Sequence, residues 1–296
     1  MNSIRSGSIV TWLAICLLFL AINAKSSHAG LVGSWNQDEL SGGIIDSTAG
    51  HPVGLPTGPI AYGLPGVPNG TYGSISVTNA GGTSIGYGPS TFDSYFTVGA
   101  ANNNPALNIN NNGTLTIMGW VNPSAPVLAA STYRFFSTGS AGGADRGWGI
   151  GLRLNGTTGV GSAIRFTTYG IADNDSSTFP VTFDEWIHIA ATYNNGAINY
   201  YLNGNPLDSD FSVFGNESAA GRLVIGGRFG GNDVDQMGGI VDGIQLYDHV
   251  LTPLEIQQAA AGSVTAPIPE PATIVLAAVG AALLVSQRRR WLRSRR

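Results

Sequence analysis

Residues able to do acid–base chemistry are scarce in this chain. Hydrolysis of a glycosidic bond with retention needs two carboxyl groups about 5–5.5 Å apart, one as nucleophile and one as acid/base. The glutamates between Gly30 and Pro269 are Glu39, Glu185, Glu217 and Glu255. Glu39, Glu217 and Glu255 fall at loop or cap positions, and Glu185 precedes Trp186 at a turn. Asp233 and Asp235 lie in a Gly-rich loop. The histidines of the same stretch are His51, His188 and His249, and no serine is assigned to the strand-to-helix elbow of a nucleophile. His188 falls inside an alternating apolar run, where a hydrogen-bonded sheet residue is the simpler reading than a catalytic base. Asp173 and Asp175 sit in a polar loop and could offer oxygens to a hard cation. Trp148, Tyr169, Phe214 and Phe229 lie near loops, where an aromatic ring can stack on a sugar, although each equally suits core or rim packing.

The elements that would position these groups are strands. Phe183 to Leu207 carries the clearest pattern. Ile187, Ile189, Ala191 and Tyr193 alternate with Trp186, His188, Ala190 and Thr192, the period-2 signature of a strand. Asn194-Asn195-Gly196 supplies residues that tolerate the positive φ of a hairpin turn. Ala197 to Leu202 returns as the second strand, and Asn203-Gly204 turns the chain again. A hairpin needs a second sheet over its apolar face, so the segment predicts a layered all-β domain.

Further strands are predicted at Leu31–Trp35, Thr71–Thr78, Phe92–Gly99, Thr114–Val121, Tyr133–Ser137, Gly147–Leu154, Ala163–Tyr169, Arg222–Ile225 and Gly239–Tyr247. Pro52–Gly70 reads as loop with short edge pieces; Ala101–Gly113, Asp173–Ser177 and Asp208–Ala220 read as loops. Within Ala163–Tyr169, Ile164, Phe166 and Thr168 oppose Arg165, Thr167 and Tyr169. One short helix follows Thr252-Pro253-Leu254-Glu255, which has an N-cap, a first-turn proline and the glutamate of a capping box.

Composition narrows the partners. The stretch from Gly30 to Pro269 holds six arginines, no lysine and 17 acids, a net −11. Such a body lacks the cations that displace phosphate counterions, so nucleic acid is not an expected partner. Cys16 is the sole cysteine and lies in the leader, so this body has no disulfide.

The two ends read as addresses. Residues 1–29 have a basic start at Arg5, an apolar run from Ile9 to Ile22 and a small-x-small site at Ser27-His28-Ala29, the layout of a secretory signal; the alternative is an uncleaved anchor. Residues 262–268 read as a linker. Then come Pro269-Glu270-Pro271, an apolar run from Ala272 to Val285, and an Arg-rich end. The run spans only about 21 Å as a helix at ~1.5 Å per residue, so flanking arginines would have to snorkel, with the basic end cytoplasmic.

Two resemblances follow from these stretches. Trp186 with His188-Ile189-Ala190 and Thr192-Tyr193, then Tyr201-Leu202-Asn203-Gly204, resembles the laminin-G-like jelly rolls of the concanavalin A-like lectin/glucanase superfamily. Leu115–Pro123, Leu223–Gly227 and Gly239–Asp248 resemble the same family's strands and Leu251–Ile256 its closing segment, in order, over roughly residues 31–260 of a domain placed at 30–261. The resemblance implies an all-β, two-sheet antiparallel jelly-roll sandwich with one short C-terminal helix. Glycosidases on this fold use Glu-x-Asp-x-x-Glu, which is absent here, so a non-catalytic protein is expected. Related jelly rolls hold a structural calcium between the N-terminal loop and the last strand, and Asp46 and Asp242 match its two acidic positions; Asp46 also suits a turn cap, and Asp242 an exposed or Arg-paired strand position. The tail, 269–296, resembles the PEP-CTERM sorting signal, with Pro269, Glu270 and Pro271 as its motif and 272–285 as a transmembrane sorting helix. That implies an exosortase-type membrane protease as partner, transient anchoring in the inner membrane of a Gram-negative-type bacterium, and delivery to the cell surface or matrix. The expected work is binding or organising extracellular polysaccharide. A structural, adhesive matrix component and a divergent polysaccharide-degrading enzyme are the alternatives.

Overall fold

The computed structural model describes residues 30–48, 52–77, 83–88, 94–98, 113–126, 130–138, 147–212, 223–228 and 235–261. All lie in one compact unit, Gly30–Ile268. The signal, the sorting motif Pro269-Glu270-Pro271, the apolar run after it, Phe214, Phe229 and Asp233 fall outside the described residues. Among the described residues no helix is long and apolar enough to cross a membrane.

Alternating apolar residues build two antiparallel sheets. The strands in chain order are β1 Leu31–Trp35, β2 Gly54–Thr57, β3 Ile60–Pro65, β4 Gly70–Tyr72, β5 Ile75–Val77, β6 Thr83–Tyr87, β7 Tyr95–Val98 and β8 Thr114–Pro123. They continue as β9 Ala130–Thr138, β10 Trp148–Asn155, β11 Ala163–Thr168, β12 Ala172–Asp175, β13 Ile187–Asn194, β14 Ala197–Leu202, β15 Asn205–Phe211, β16 Leu223–Ile225 and β17 Gly239–Tyr247. One sheet runs β15-β14-β13-β8-β17-β6-β3, with β1 also on β17; the other runs β12-β11-β10-β9-β16-β7-β2. The predicted hairpin is β13–β14, registered from Ile189 against Leu202 to Asn194 against Ala197. Asn195 and Gly196 turn it at φ 47° and 103°, the left-handed region those residue types tolerate.

The core lies between the sheets. Ile189, Ala191, Tyr193 and Ile198 from the hairpin meet Trp148, Ile150, Phe166 and Phe136 from the other sheet. The first sheet is also covered outside. Met118, Ala190, Tyr201 and Tyr247 pack under Leu251, Ile256 and Ala259, while Trp120 packs under Val67, Ile75 and Val77. The cover is the helix α1, Pro253–Ala260, together with the β4–β5 hairpin.

The capping box forms as the sequence requires. Thr252 N donates to Glu255 Oε2 at 2.7 Å, and Glu255 N donates to Thr252 Oγ1 at 3.3 Å. Thr252→Ala removes one arm and should cost about 1 kcal/mol in urea unfolding. An unchanged midpoint would mean that the packing of Ile256 and Ala259 alone sets the helix.

The structure departs from expectation in four places, the first being Thr83–Tyr87, where no element was expected and β6 lies between β17 and β3. Thr71–Thr78 is not one strand but the tight hairpin β4–β5, because Gly73 turns at φ 57° where a Cβ would stand 2.6 Å from the Asn203 carbonyl oxygen. Asp173–Ser177 is not all loop: Ala172–Asp175 pairs with β11, its charges answered by Arg165 across the ladder. Asp208–Ala220 begins in the strand β15, an edge so exposed that no apolar alternation marks it.

Candidate functional site

Sheet alternation sorts the second sheet into an apolar inner face and a charged outer one. On β10, Trp148, Ile150, Leu152 and Leu154 point into the core, so Arg153 points out. On β11, Ile164 and Phe166 point in, so Arg165 and Thr167 point out. Asp175 lies opposite Arg165 on β12, and Asp173 opposite Thr167.

These side chains join in one continuous ladder. Arg153 Nε lies 2.8 Å from Asp175 Oδ2. Arg165 clamps the same carboxylate, Nε to Oδ1 at 2.7 Å and Nη2 to Oδ2 at 2.9 Å, a bidentate fork. Arg165 Nη1 donates to Asp173 Oδ2 at 3.0 Å, and Thr167 Oγ1 donates to Asp173 Oδ1 at 2.6 Å. Arg134 on β9 donates from Nη1 to Thr167 Oγ1 at 2.9 Å and from Nε to Asp235 Oδ1 at 3.1 Å. Arg228 Nη2 closes the chain on Asp235 Oδ2 at 2.9 Å. The guanidinium carbons of Arg134 and Arg228 stand 5.3 and 5.2 Å from the centre of the Tyr169 ring, cation–π distances. Every described arginine therefore lies on this one face.

The electrostatics of Asp175 do not suit acid catalysis. Burial pushes the Asp175 carboxyl up, but the bond to Arg165 and the charges of Arg165 and Arg153 outweigh it, so its pKa ends below the ordinary value. A carboxyl held ionised cannot protonate a leaving group.

The expected loop cation site at Asp173 and Asp175 is overturned, because both carboxylates are engaged by Arg165. Trp148 is not a stacking platform: it is 1% exposed and lies parallel to Phe166 at 5.5 Å. Tyr169 is likewise buried, beneath the two guanidiniums. His188 is buried with its ring 5.1 Å from Trp120, and burial pushes its pKa down to about 3. Its backbone N donates to Asn203 Oδ1 at 2.8 Å, while its Nδ1 has no partner among the described residues. It is a neutral sheet residue. Gly82-Thr83-Ser84-Ile85-Gly86 has Gly-x-Ser-x-Gly spacing, but Ser84 lies inside β6 and its hydroxyl donates to the Pro65 carbonyl at 2.9 Å, so it forms no elbow.

The calcium expectation divides between its two residues. Asp46 is buried and closes its own loop: Oδ1 accepts from Ser34 N and Thr48 N at 2.9 Å each, and Oδ2 accepts from Thr48 Oγ1 at 2.7 Å. Asp242 accepts from Val67 N at 3.3 Å at a bulge in β17. Burial above all raises its pKa to about 7, so a cation would relieve it. Among the described residues no group of three or more His, Cys, Asp or Glu could hold a metal ion. Asp242 thus suits a cation ligand, whereas Asp46 is committed to its loop.

A groove of about 360 Å³ lies elsewhere, between β3, β6 and β17, lined by Pro59, Ile60, Leu64, Tyr87, Ser124 and Ile240. It offers no carboxyl, and the Tyr87 hydroxyl is bound to Gln37 Oε1 at 3.1 Å.

Two antiparallel sheets over one core, the first covered outside and the second bearing charged groups, define a jelly-roll sandwich. The family profile agrees, matching residues 89–257. The chain belongs to the concanavalin A-like lectin/glucanases superfamily. A PEP-CTERM protein-sorting motif matches residues 267–290, which marks an exported protein processed at the membrane and implies an exosortase. No curated protein matches the sequence. Domain 4 of AbnA, a GH43 extracellular arabinanase from Geobacillus stearothermophilus, solved in complex with arabinotriose, is similar at 20% identity and a TM-score of 0.51, over 78% of this chain and 98% of that one. A Trypanosoma rangeli sialidase is similar at 14% identity and a TM-score of 0.52, over 79% of this chain but 34% of the sialidase. At such identities the likeness is one of fold.

The ladder escaped the sequence reading. The signal was the alternation at Arg165 and Thr167, together with a body whose only cations are arginines.

Proposed function

We propose that this is an exported, non-catalytic surface or matrix protein that binds polysaccharide through the outer face of its second sheet. The carrying observation is the ladder from Arg153 to Arg228. It fixes donors and acceptors in one row, and paired Arg and Asp side chains can exchange hydrogen bonds with sugar hydroxyls. Fold likeness to a domain solved with arabinotriose supports the reading. A glycan array probed with residues 30–268 should show polysaccharide binding that weakens at least tenfold in Arg165→Gln. An array with no signal overturns the reading.

A structural matrix component is the second reading. It is favoured by Leu40, Ile45, Val53 and Leu55, large apolar side chains each more than half exposed. Concentration-dependent self-association of the same unit, without glycan binding, would establish it. An enzyme is the third, and Asp242 is the described carboxyl raised furthest towards the working range of a general acid. Reducing-sugar release that is lost in Asp242→Asn would establish that one.

Calcium at Asp242 is the accompanying proposal. A ligand bound only by the folded state adds about 2.7 kcal/mol at one hundred times its Kd. Chelator should therefore lower the melting temperature, and an unchanged transition overturns the proposal.

A further inference from the structure

We propose that the deep end of the ladder, Arg134 and Arg228 around Asp235, is an anion site that takes a carboxylate of an acidic sugar, so that the bound polymer is a polyuronate. The inference rests on the binding reading above and names its ligand class. Two guanidinium groups share one carboxylate here: Arg134 Nε lies 3.1 Å and Arg228 Nη2 2.9 Å from Asp235. The side chains of Arg134, Arg228 and Asp235 are only 3%, 15% and 13% exposed. Among the described residues, two positive charges against one negative leave one uncompensated charge where water is largely excluded. At the other end Arg153 and Arg165 are balanced by Asp173 and Asp175.

A cation withdrawn from water without a counter-charge is costly. The Tyr169 ring eases that cost through its π face but brings no negative charge. Arg228 keeps a further unmet donor, because its Nε has no partner among the described residues. An incoming carboxylate supplies the missing charge and matches the planar fork of a guanidinium. The field of the whole body sharpens the choice. At a net −11 between Gly30 and Pro269, most of the surface repels a polyanion. The described arginines of this body are gathered on this face, which makes it the described part of the body where a polyanion meets attraction.

The test uses the full-length chain in neutral detergent, with polygalacturonate, its methyl-esterified neutral form, dextran and sodium sulfate as probes at about 50 mM salt. The acid form should bind at least tenfold tighter than the ester, and the preference should shrink as salt rises. Arg228→Gln should lower affinity for the acid form about tenfold and that for the ester clearly less, and Arg228→Lys should recover part of the loss. Melting curves show whether the variant folds. If it does not, a thermal shift of the native chain with galacturonate but not glucose reads the same site. Equal binding of acid and ester overturns the anion assignment and leaves polysaccharide binding intact. Binding of sulfate without any polymer also overturns it. Binding of no polymer at all removes the underlying reading, and this inference with it.

Discussion

Trp148→Ala should lower the unfolding free energy by about 3–5 kcal/mol, the cost of removing a large aromatic from a closed core. Trp148 is 1% exposed and sits between Phe136, at 5.2 Å, and Phe166, at 5.5 Å and 8° from parallel. The stack continues from Phe166 to Tyr193 of the facing sheet at 6.5 Å, so the cavity would open where the two sheets meet. Neither sheet can close it without moving a paired strand. Trp148→Phe keeps most of the ring volume and should lose clearly less. The same pair of variants tests the ligand face. Trp148 points inward while Arg153, five residues on, points outward. Below its lowered melting point the alanine variant should therefore bind polysaccharide with unchanged affinity. Loss of less than about 1 kcal/mol would remove Trp148 from the core. A selective loss of binding would restore it as a sugar platform.

The central hairpin was legible because one periodic signal and two turn signals agreed. Ile189, Ala191 and Tyr193 fall on the core face as their spacing required, and Asn195 and Asn203 take the positive φ their type allows. The helix was legible for a similar reason: Thr252, Pro253 and Glu255 act within one turn, and no distant residue has to agree. Where the reading failed, the deciding contact was remote in sequence. Asp173 and Asp175 look like solvated loop residues until Arg165 and Arg153 arrive from neighbouring strands. Asp235 looks like one more acid in a Gly-rich stretch until Arg134, some hundred residues away, reaches it. Both faces of β13 are apolar, yet only tertiary packing tells which is covered by the second sheet and which by α1 and the β4–β5 hairpin.

The fold also explains why the charged ladder lies on the second sheet. The outer face of the first sheet bears Met118, Trp120, Ala190 and Tyr201, which need cover, and the helix with the β4–β5 hairpin supplies it. A covered face cannot meet a polymer. On the second sheet, small residues on β10 leave room for the neighbouring strands' charges: a Cβ at Gly151 would stand 2.3 Å from the Tyr133 carbonyl, and one at Gly149 2.7 Å from the Tyr169 hydroxyl. Arg134 of β9 can thus reach Thr167 of β11 across a strand that carries no bulk there.

Asp242→Asn should turn the protein's pH dependence in a definite direction. The Asp242 carboxyl is held mainly by burial at about 7, against an ordinary 3.8; Asp38 adds to the rise, and the Val67 and Gly243 amides oppose it. The folded state therefore binds this proton more tightly than the unfolded chain does. Its contribution to stability is fully present below about pH 4 and is lost as pH rises through about 7. Three units at ~1.36 kcal/mol each set an upper limit of about 4 kcal/mol. Asp242 is mostly buried but keeps some solvent exposure, so screening should reduce the observed loss to about 1–2 kcal/mol. Asparagine keeps the shape and the acceptor for Val67 N but never ionises. With chelator present, the variant should match the native chain near pH 4 and exceed it by that margin near pH 8. With calcium present the order at pH 8 should reverse, since the native carboxylate then gains a cation that the amide holds poorly. A difference between the two proteins that stays constant from pH 4 to pH 8 in chelator would show that the Asp242 carboxyl titrates alike in the folded and unfolded chains.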